Sequence, residues 1–170
     1  MPAALASGWA SADAEQPACV DVVRPRVGPP DDYEPREPGD DSVRFVGRDF
    51  ELRPVPGDEA ATFAAQWMRL KRVPIGADEP WPAAALGLVA DMVGAGQFRA
   101  VRLALGEPHA LLSLDLTIHL VAPARGPWLL GAFDNVALDR GRVVGRGELY
   151  DESGRFLASV TQQSLVQRFR

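Results

Sequence analysis

The sequence predicts an α+β domain in which one antiparallel sheet wraps a single buried helix. Three observations lead there. Residues 81–93 are apolar almost all the way round (Ala83, Ala84, Ala85, Leu86, Leu88, Val89, Ala90, Met92), so this helix needs burial on most of its faces. Four stretches after it, near 110–121, 127–138, 142–151 and 155–167, read as strands. Between the last two, Asp151-Glu152-Ser153-Gly154 has the composition of a hairpin turn.

The elements follow in order. Residues 1–41 carry nine acidic side chains against three arginines, and seven of the fifteen prolines. Proline removes backbone donors and like charges repel, so this stretch is expected to be an acidic, Pro-rich leader or linker, with the folded domain spanning 42–170. Residues 43–53 read as a strand ending at Pro54. Residues 63–70, with Trp67 and Met68, read as a second strand, although their alanines also allow helix. A loop rich in proline and acid precedes the helix; Pro82 suits the helix's first turn, and Gly94 and Gly96 are expected to stop it. One buried helix followed by antiparallel strands is the element order of the hotdog fold, an order that other α+β folds share.

Composition excludes several classes. The chain of 170 residues is 46% hydrophobic and 24% charged, a globular balance with length for a real core. No apolar run approaches the ~18–20 residues of a spanning helix, and no basic segment precedes the apolar residues of the N-terminus, so neither a membrane span nor a secretory signal is expected. A lone cysteine, Cys19, fits a cytoplasmic setting and permits no internal disulfide. A net charge of −5 argues against nucleic acid as the partner.

Two strands carry polar side chains that packing does not require. In 112–120, aliphatic residues alternate with Ser113, Asp115, Thr117 and His119, the period-2 signature of a half-buried strand. In 156–166, Gln162 shares a face with Phe156, Ala158, Val160 and Val166, which threads an amide into an apolar row. A carboxylate and a buried amide on separate strands can together hold a water molecule. The plain alternatives stay open: Asp115 on a solvated face, and Gln162 bonded to backbone at a sheet irregularity. Asp91, in an otherwise apolar helix, also needs a partner, either at a site or through a cap or salt bridge near the helix end.

Other signals are weaker. His109 and His119 are isolated, with no ligand at metal spacing, so no metal is expected, and no cofactor either. Gly141-Arg142-Val143-Val144-Gly145-Arg146-Gly147 has the outline of a dinucleotide motif but no βαβ unit around it, and reads as a strand with close backbone packing. Arg140, Arg142 and Arg146 are candidates for contacting the phosphates of a ligand. No Gly-x-Ser-x-Gly elbow is present, and Cys19 lies in the leader, so any hydrolysis is expected to use direct attack by water rather than a covalent intermediate.

Residues 43–170 resemble the C-terminal half of acyl-CoA thioesterase II-type, double-hotdog enzymes. The similarity runs in order through Gln66-Trp67-Met68-Arg69, Leu88-Val89-Ala90-Asp91, Ser113-Leu114-Asp115 and Trp128-Leu129-Leu130. It continues in Arg146-Gly147-Glu148-Leu149-Tyr150 and in Gly154-Arg155-Phe156-Leu157-Ala158-Ser159, leading into Thr161-Gln162-Gln163. The resemblance implies an acyl-CoA thioesterase in which an Asp, a Thr or Ser, and a Gln orient a water, with Asp115 as the Asp and Gln162 as the Gln. The hydroxyl position falls on Val136, a departure that leaves Asn135 or Ser113 to substitute, or leaves a non-catalytic acyl-binding or assembly module. The family joins two hotdog units and this chain carries one, so a homodimer or a second hotdog unit is the expected partner.

Overall fold

The computed structural model describes residues 25–36, 49–57, 61–71, 79–106 and 109–168. Strand β1 spans Phe50–Val55 and β2 spans Ala64–Leu70. The helical layer is α1 (Ala83–Ala90), a 3-10 turn (Asp91–Val93) and α2 (Gly94–Leu105). Then come β3 (His109–Ser113), β4 (Thr117–Leu120), β5 (Leu129–Asp139), β6 (Arg142–Asp151) and β7 (Phe156–Arg168). The strands form one antiparallel sheet in the order β1-β2-β5-β6-β7-β3, with β4 also paired to β7. This is the hotdog arrangement that the element order predicts.

The alanines of β2 do not make it helical, because Trp67 and Met68 bury on opposite faces of a strand held between β1 and β5. β1 passes through Pro54 to Val55, and it does so as the edge strand, where a missing N–H disturbs no second ladder. The first six residues of the strand expected at 43–53 lie outside the described residues.

The expected helix stop at Gly94 and Gly96 is corrected. The helical layer runs on through both to Leu105 and ends at Gly106, whose φ of 68° and N–H bond to the Arg102 carbonyl (2.9 Å) close it. Glycine inside a helix costs about 1 kcal/mol relative to alanine, so it weakens a helix without ending it. Gly96 has a packing reason: a Cβ there would stand 3.0 Å from the main chain of Asp134 on β5.

The sheet has an apolar layer on each face. On the inner face, Trp81, Leu86, Val89, Ala90 and Val93 of the helical side pack on Met68, Leu129, Phe133, Leu149, Ala158 and Val160. On the outer face, Trp67, Trp128, Leu130 and Tyr150 form a second cluster. Phe156, expected beside Gln162, belongs to the outer cluster and meets Tyr150 edge-on, ring centroids 5.7 Å apart. The cause is a register slip: Leu149 pairs with Ala158 but Tyr150 with Phe156, so Leu157 is an extra residue that reverses the alternation.

Part of the expected leader is fastened to that outer face. Trp67 Nε1 donates to the Gly28 carbonyl (3.0 Å), Arg53 Nη1 donates to the Pro30 carbonyl and to Asp31 (both 2.9 Å), and the Arg36 N–H donates to the Leu52 carbonyl (2.7 Å). Val27 and Tyr33 pack over the outer cluster. The expected domain start at residue 42 lies outside the described residues. Beneath this strap, Glu51 accepts hydrogen bonds from Arg53 (2.8 Å) and Arg69, and both guanidinium groups lie over the Trp128 ring, 4.9 and 4.6 Å from its centroid.

Candidate functional site

The stretch expected as one strand at 110–121 is broken, and the break builds the site. Ser113 pairs with Ser164 of β7, whereas Thr117 pairs with Thr161, so three residues (114–116) face only two. That is a β-bulge, and the N–H groups of Leu114 and Asp115 both point at the single carbonyl of Gln163, at 2.8 and 3.4 Å. One extra residue flips every side chain beyond it. Ser113 therefore shares the inner face with Ser164 and Gln162, while Thr117 and His119 pair with Thr161 and Ser159 on the other.

Gln162 is 2% exposed, and its amide nitrogen uses both protons. Nε2 donates to Asp91 Oδ1 at 2.5 Å and to Ser113 Oγ at 3.1 Å. A carboxylate offers only acceptors, which forces the amide to turn its nitrogen toward Asp91. Asp91 stands on the 3-10 turn between α1 and α2, where the tighter winding aims its side chain at β7. The amide oxygen is left facing Gly94, where a Cβ would stand 3.9 Å away. An acid from the helix, a hydroxyl from the bulged edge and an amide from the sheet thus converge on one point.

Asp115 and Gln162, expected as partners, share no hydrogen bond. The bulge leaves Asp115 exposed, with Oδ1 accepting the Gln163 N–H at 2.8 Å, so that carboxylate braces the bulge from outside. Val136 is the extra residue of another bulge, between Asn135 and Ala137 on β5, and is 58% exposed. Asn135 sits at that bulge, and with its amide oriented nitrogen-inward it donates to the carbonyls of Ala137 and Val144 at 3.2 Å each. The hydroxyl beside Gln162 comes from Ser113, one of the two substitutes the sequence offered for Val136. Asp91 was readable as the lone acid of an apolar helix.

The remaining candidates lie elsewhere. Arg140 sits at the β5–β6 turn, Arg142 reaches Gln163 Oε1 at 3.4 Å, and Arg146 lies 4.0 Å from Asp134. Residues 141–147 form the turn and β6, close-packed as expected: a Cβ on Gly147 would meet Phe133 at 2.4 Å. His109 is buried on β3 and His119 exposed on β4. Among the described residues no three His, Cys, Asp or Glu side chains gather as a metal ion would require, and no helix is long and apolar enough to cross a membrane.

A family model described as acyl-CoA thioesterase C-terminal domain matches residues 7–166. The chain belongs to that family. Among solved structures, this thioesterase domain is similar to a putative thioesterase from Novosphingobium aromaticivorans, with 27% identity and a TM-score of 0.66, over 83% of this chain and 53% of that one. It is also similar to the acyl-CoA thioesterase II TesB2 from Mycobacterium marinum (21% identity, TM-score 0.66, 92% of this chain and 60% of that one). A hot dog fold protein of unknown function from Alicyclobacillus acidocaldarius matches with 20% identity and a TM-score of 0.64, over 96% of this chain and 59% of that one. The thioesterase domain described here therefore spans 53–60% of the length of these three chains. No curated protein matches it.

Proposed function

We propose that this thioesterase-family domain hydrolyses an acyl-CoA thioester to the free acid and coenzyme A, with Asp91, Ser113 and Gln162 holding and activating the attacking water. The observation that carries the reading is the two-way Gln162 amide, which spends both protons on Asp91 and Ser113.

The chemistry follows from that arrangement. Gln162 occupies one oxygen of Asp91 and leaves the other to accept a proton from a water molecule. Ser113 accepts from Gln162, so its own O–H is free to donate to the water or to the carbonyl oxygen as charge develops there. Water attacks the thioester carbonyl carbon while Asp91 takes its proton. The tetrahedral intermediate then collapses, the C–S bond breaks, and the departing thiolate recovers that proton from Asp91. A thiolate leaves readily, so a positioned water and one base suffice.

Asp115 is the competing base. It is exposed at the same bulge, two residues from Ser113. The Asp91 reading is preferred because Asp91 shares the amide with the hydroxyl, whereas Asp115 is bonded to a main-chain N–H. A second hotdog unit, another copy of this chain or a partner, would complete the substrate cleft over this edge.

The deciding experiment measures free thiol release from short, medium and long acyl-CoAs by the full chain and by Asp91→Asn. Release that the substitution abolishes supports the proposal. Absence of release at every chain length, with acyl-CoA still bound, would instead identify a non-catalytic acyl-binding module.

A further inference from the structure

Behind the Asp91–Ser113–Gln162 set lies a second polar pair. Gln97 on α2 and Ser164 on β7 are 0% and 1% exposed. Gln97 Nε2 donates to the main-chain oxygen of Gln162 at 2.9 Å, and its Oε1 accepts from Ser164 Oγ at 2.8 Å. One helical side chain therefore grips β7 at two successive inner-face positions, 162 and 164.

The surroundings are shaped for this grip. Gly145 pairs with Gln162 across the β6–β7 ladder, and a Cβ there would stand 2.8 Å from Gln97 Cγ and 3.0 Å from Nε2. A buried amide costs stability unless both its ends are bonded, and an apolar side chain would fill the same space without that demand. The amide is spent on the strand residue whose own side chain holds Asp91 and Ser113. Asp91 and Gln97 also belong to one continuous helical layer, so the grip sets how that layer meets β7 where the site is built.

We propose that Gln97 is a positioning residue of the hydrolytic site, fixing the Gln162 main chain where its side-chain amide reaches Asp91 and Ser113 together. The inference rests on the hydrolytic reading above. Gln97 touches neither water nor substrate; it acts through Gln162. Displacing a site group by about 1 Å is enough to cost up to roughly a hundredfold in rate.

The test uses the full chain with Gln97→Met, Ser164→Ala and both together. Three quantities are read: kcat and KM for acyl-CoA, thermal stability, and the two NMR signals of the Gln162 side-chain NH2. Gln97→Met alone should lower kcat by about tenfold to a hundredfold with KM nearly unchanged, and should shift both NH2 signals toward those of a free glutamine. It should also lose stability, because the Ser164 hydroxyl is left buried without its acceptor. Adding Ser164→Ala removes that orphan, so stability should recover while kcat stays low. A double variant that regains both stability and kcat would overturn the proposal, since Gln97 would then be structural only. Unmoved Gln162 NH2 signals in Gln97→Met would overturn it as well. The NH2 signals need no turnover, so they decide the role of Gln97 even if the wild-type chain hydrolyses nothing and the hydrolytic reading itself fails.

Discussion

Gln162 donates its side-chain amide to the Asp91 carboxylate at 2.5 Å, joining the last strand to the middle of the helical layer across 71 residues of sequence. The bond fixes which residues can cooperate. It ties an acid from the helix to the strand neighbour of the Ser113 bulge, so loss of Gln162 leaves Asp91 and Ser113 without their common partner.

Replacing Asp91 by Asn keeps the shape and an oxygen able to accept from Gln162, but removes the proposed base. We expect kcat for thioester hydrolysis to fall by about 10²–10⁴-fold with the fold intact. Asp115→Asn should stay within a few-fold of wild type, because an amide oxygen accepts the Gln163 N–H as the carboxylate does. Steady-state kinetics on the two variants settle the choice. An inactive Asp115→Asn beside an active Asp91→Asn would move the base to Asp115.

Ser113→Ala should lose the donor to the developing charge, worth on the order of 1.5–3 kcal/mol for a hydrogen bond to a charged group, or about tenfold to a hundredfold in kcat. Ser113→Thr restores a hydroxyl and should keep most of the rate. Val136→Thr should bring no gain in turnover and a stability change within about ±0.5 kcal/mol, since the side chain is exposed on a bulge outside the Gln162 hydrogen bonds. A rate gain in Val136→Thr would return the hydroxyl position to β5.

These particulars mark what the chain makes legible. Period-2 alternation located β5, β6 and β7 to within a couple of residues, and it singled out Gln162 as an amide in an apolar row. What alternation cannot register is an inserted residue. The bulge at 114–116 moved Ser113 onto the inner face and left Asp115 outside, while a strict period puts both on one side. Leu157 did the same to Phe156. The length of the helix is hidden for another reason: Gly96 answers the main chain of Asp134, a contact that exists only once the sheet is assembled. Asp91, by contrast, was signalled by its own isolation among apolar neighbours.

The outer-face pair of arginines gives the fold a predictable acid sensitivity. Burial pushes the Glu51 carboxyl up, but hydrogen bonds and charge from Arg69 and Arg53 together outweigh it and hold the group below its ordinary value. A carboxyl whose folded pKa is depressed adds stability above its ordinary value of 4.5, and loses it as pH falls through the folded value. The melting temperature should therefore drop below about pH 4, and Glu51→Gln should show a shallower drop over the same range. Parallel curves for the two proteins would show that Glu51 is not a source of the acid lability.

Assembly should follow from the same edge that carries the site. The sheet ends at β3, and Leu112, Leu114, Leu120 and Val121 stand exposed along β3, the bulge and β4, with Leu88 and Phe98 exposed on the helical layer. An unpaired edge strand beside apolar side chains favours pairing with another sheet, and a two-fold pair would bury the same surface on both copies. Ser113 and Asp115 lie on that edge, so the second unit would wall the proposed site. We expect at least a dimer by light scattering at micromolar concentration. Leu120→Lys should raise the monomer fraction and lower hydrolysis in step with it, although residue 120 lies outside the Asp91–Ser113–Gln162 contacts. Wild-type chain that is monomeric and fully active would remove any need for a second unit. Monomer that is inactive, and gains activity when a second hotdog unit is supplied, would show that the site needs a partner other than its own copy.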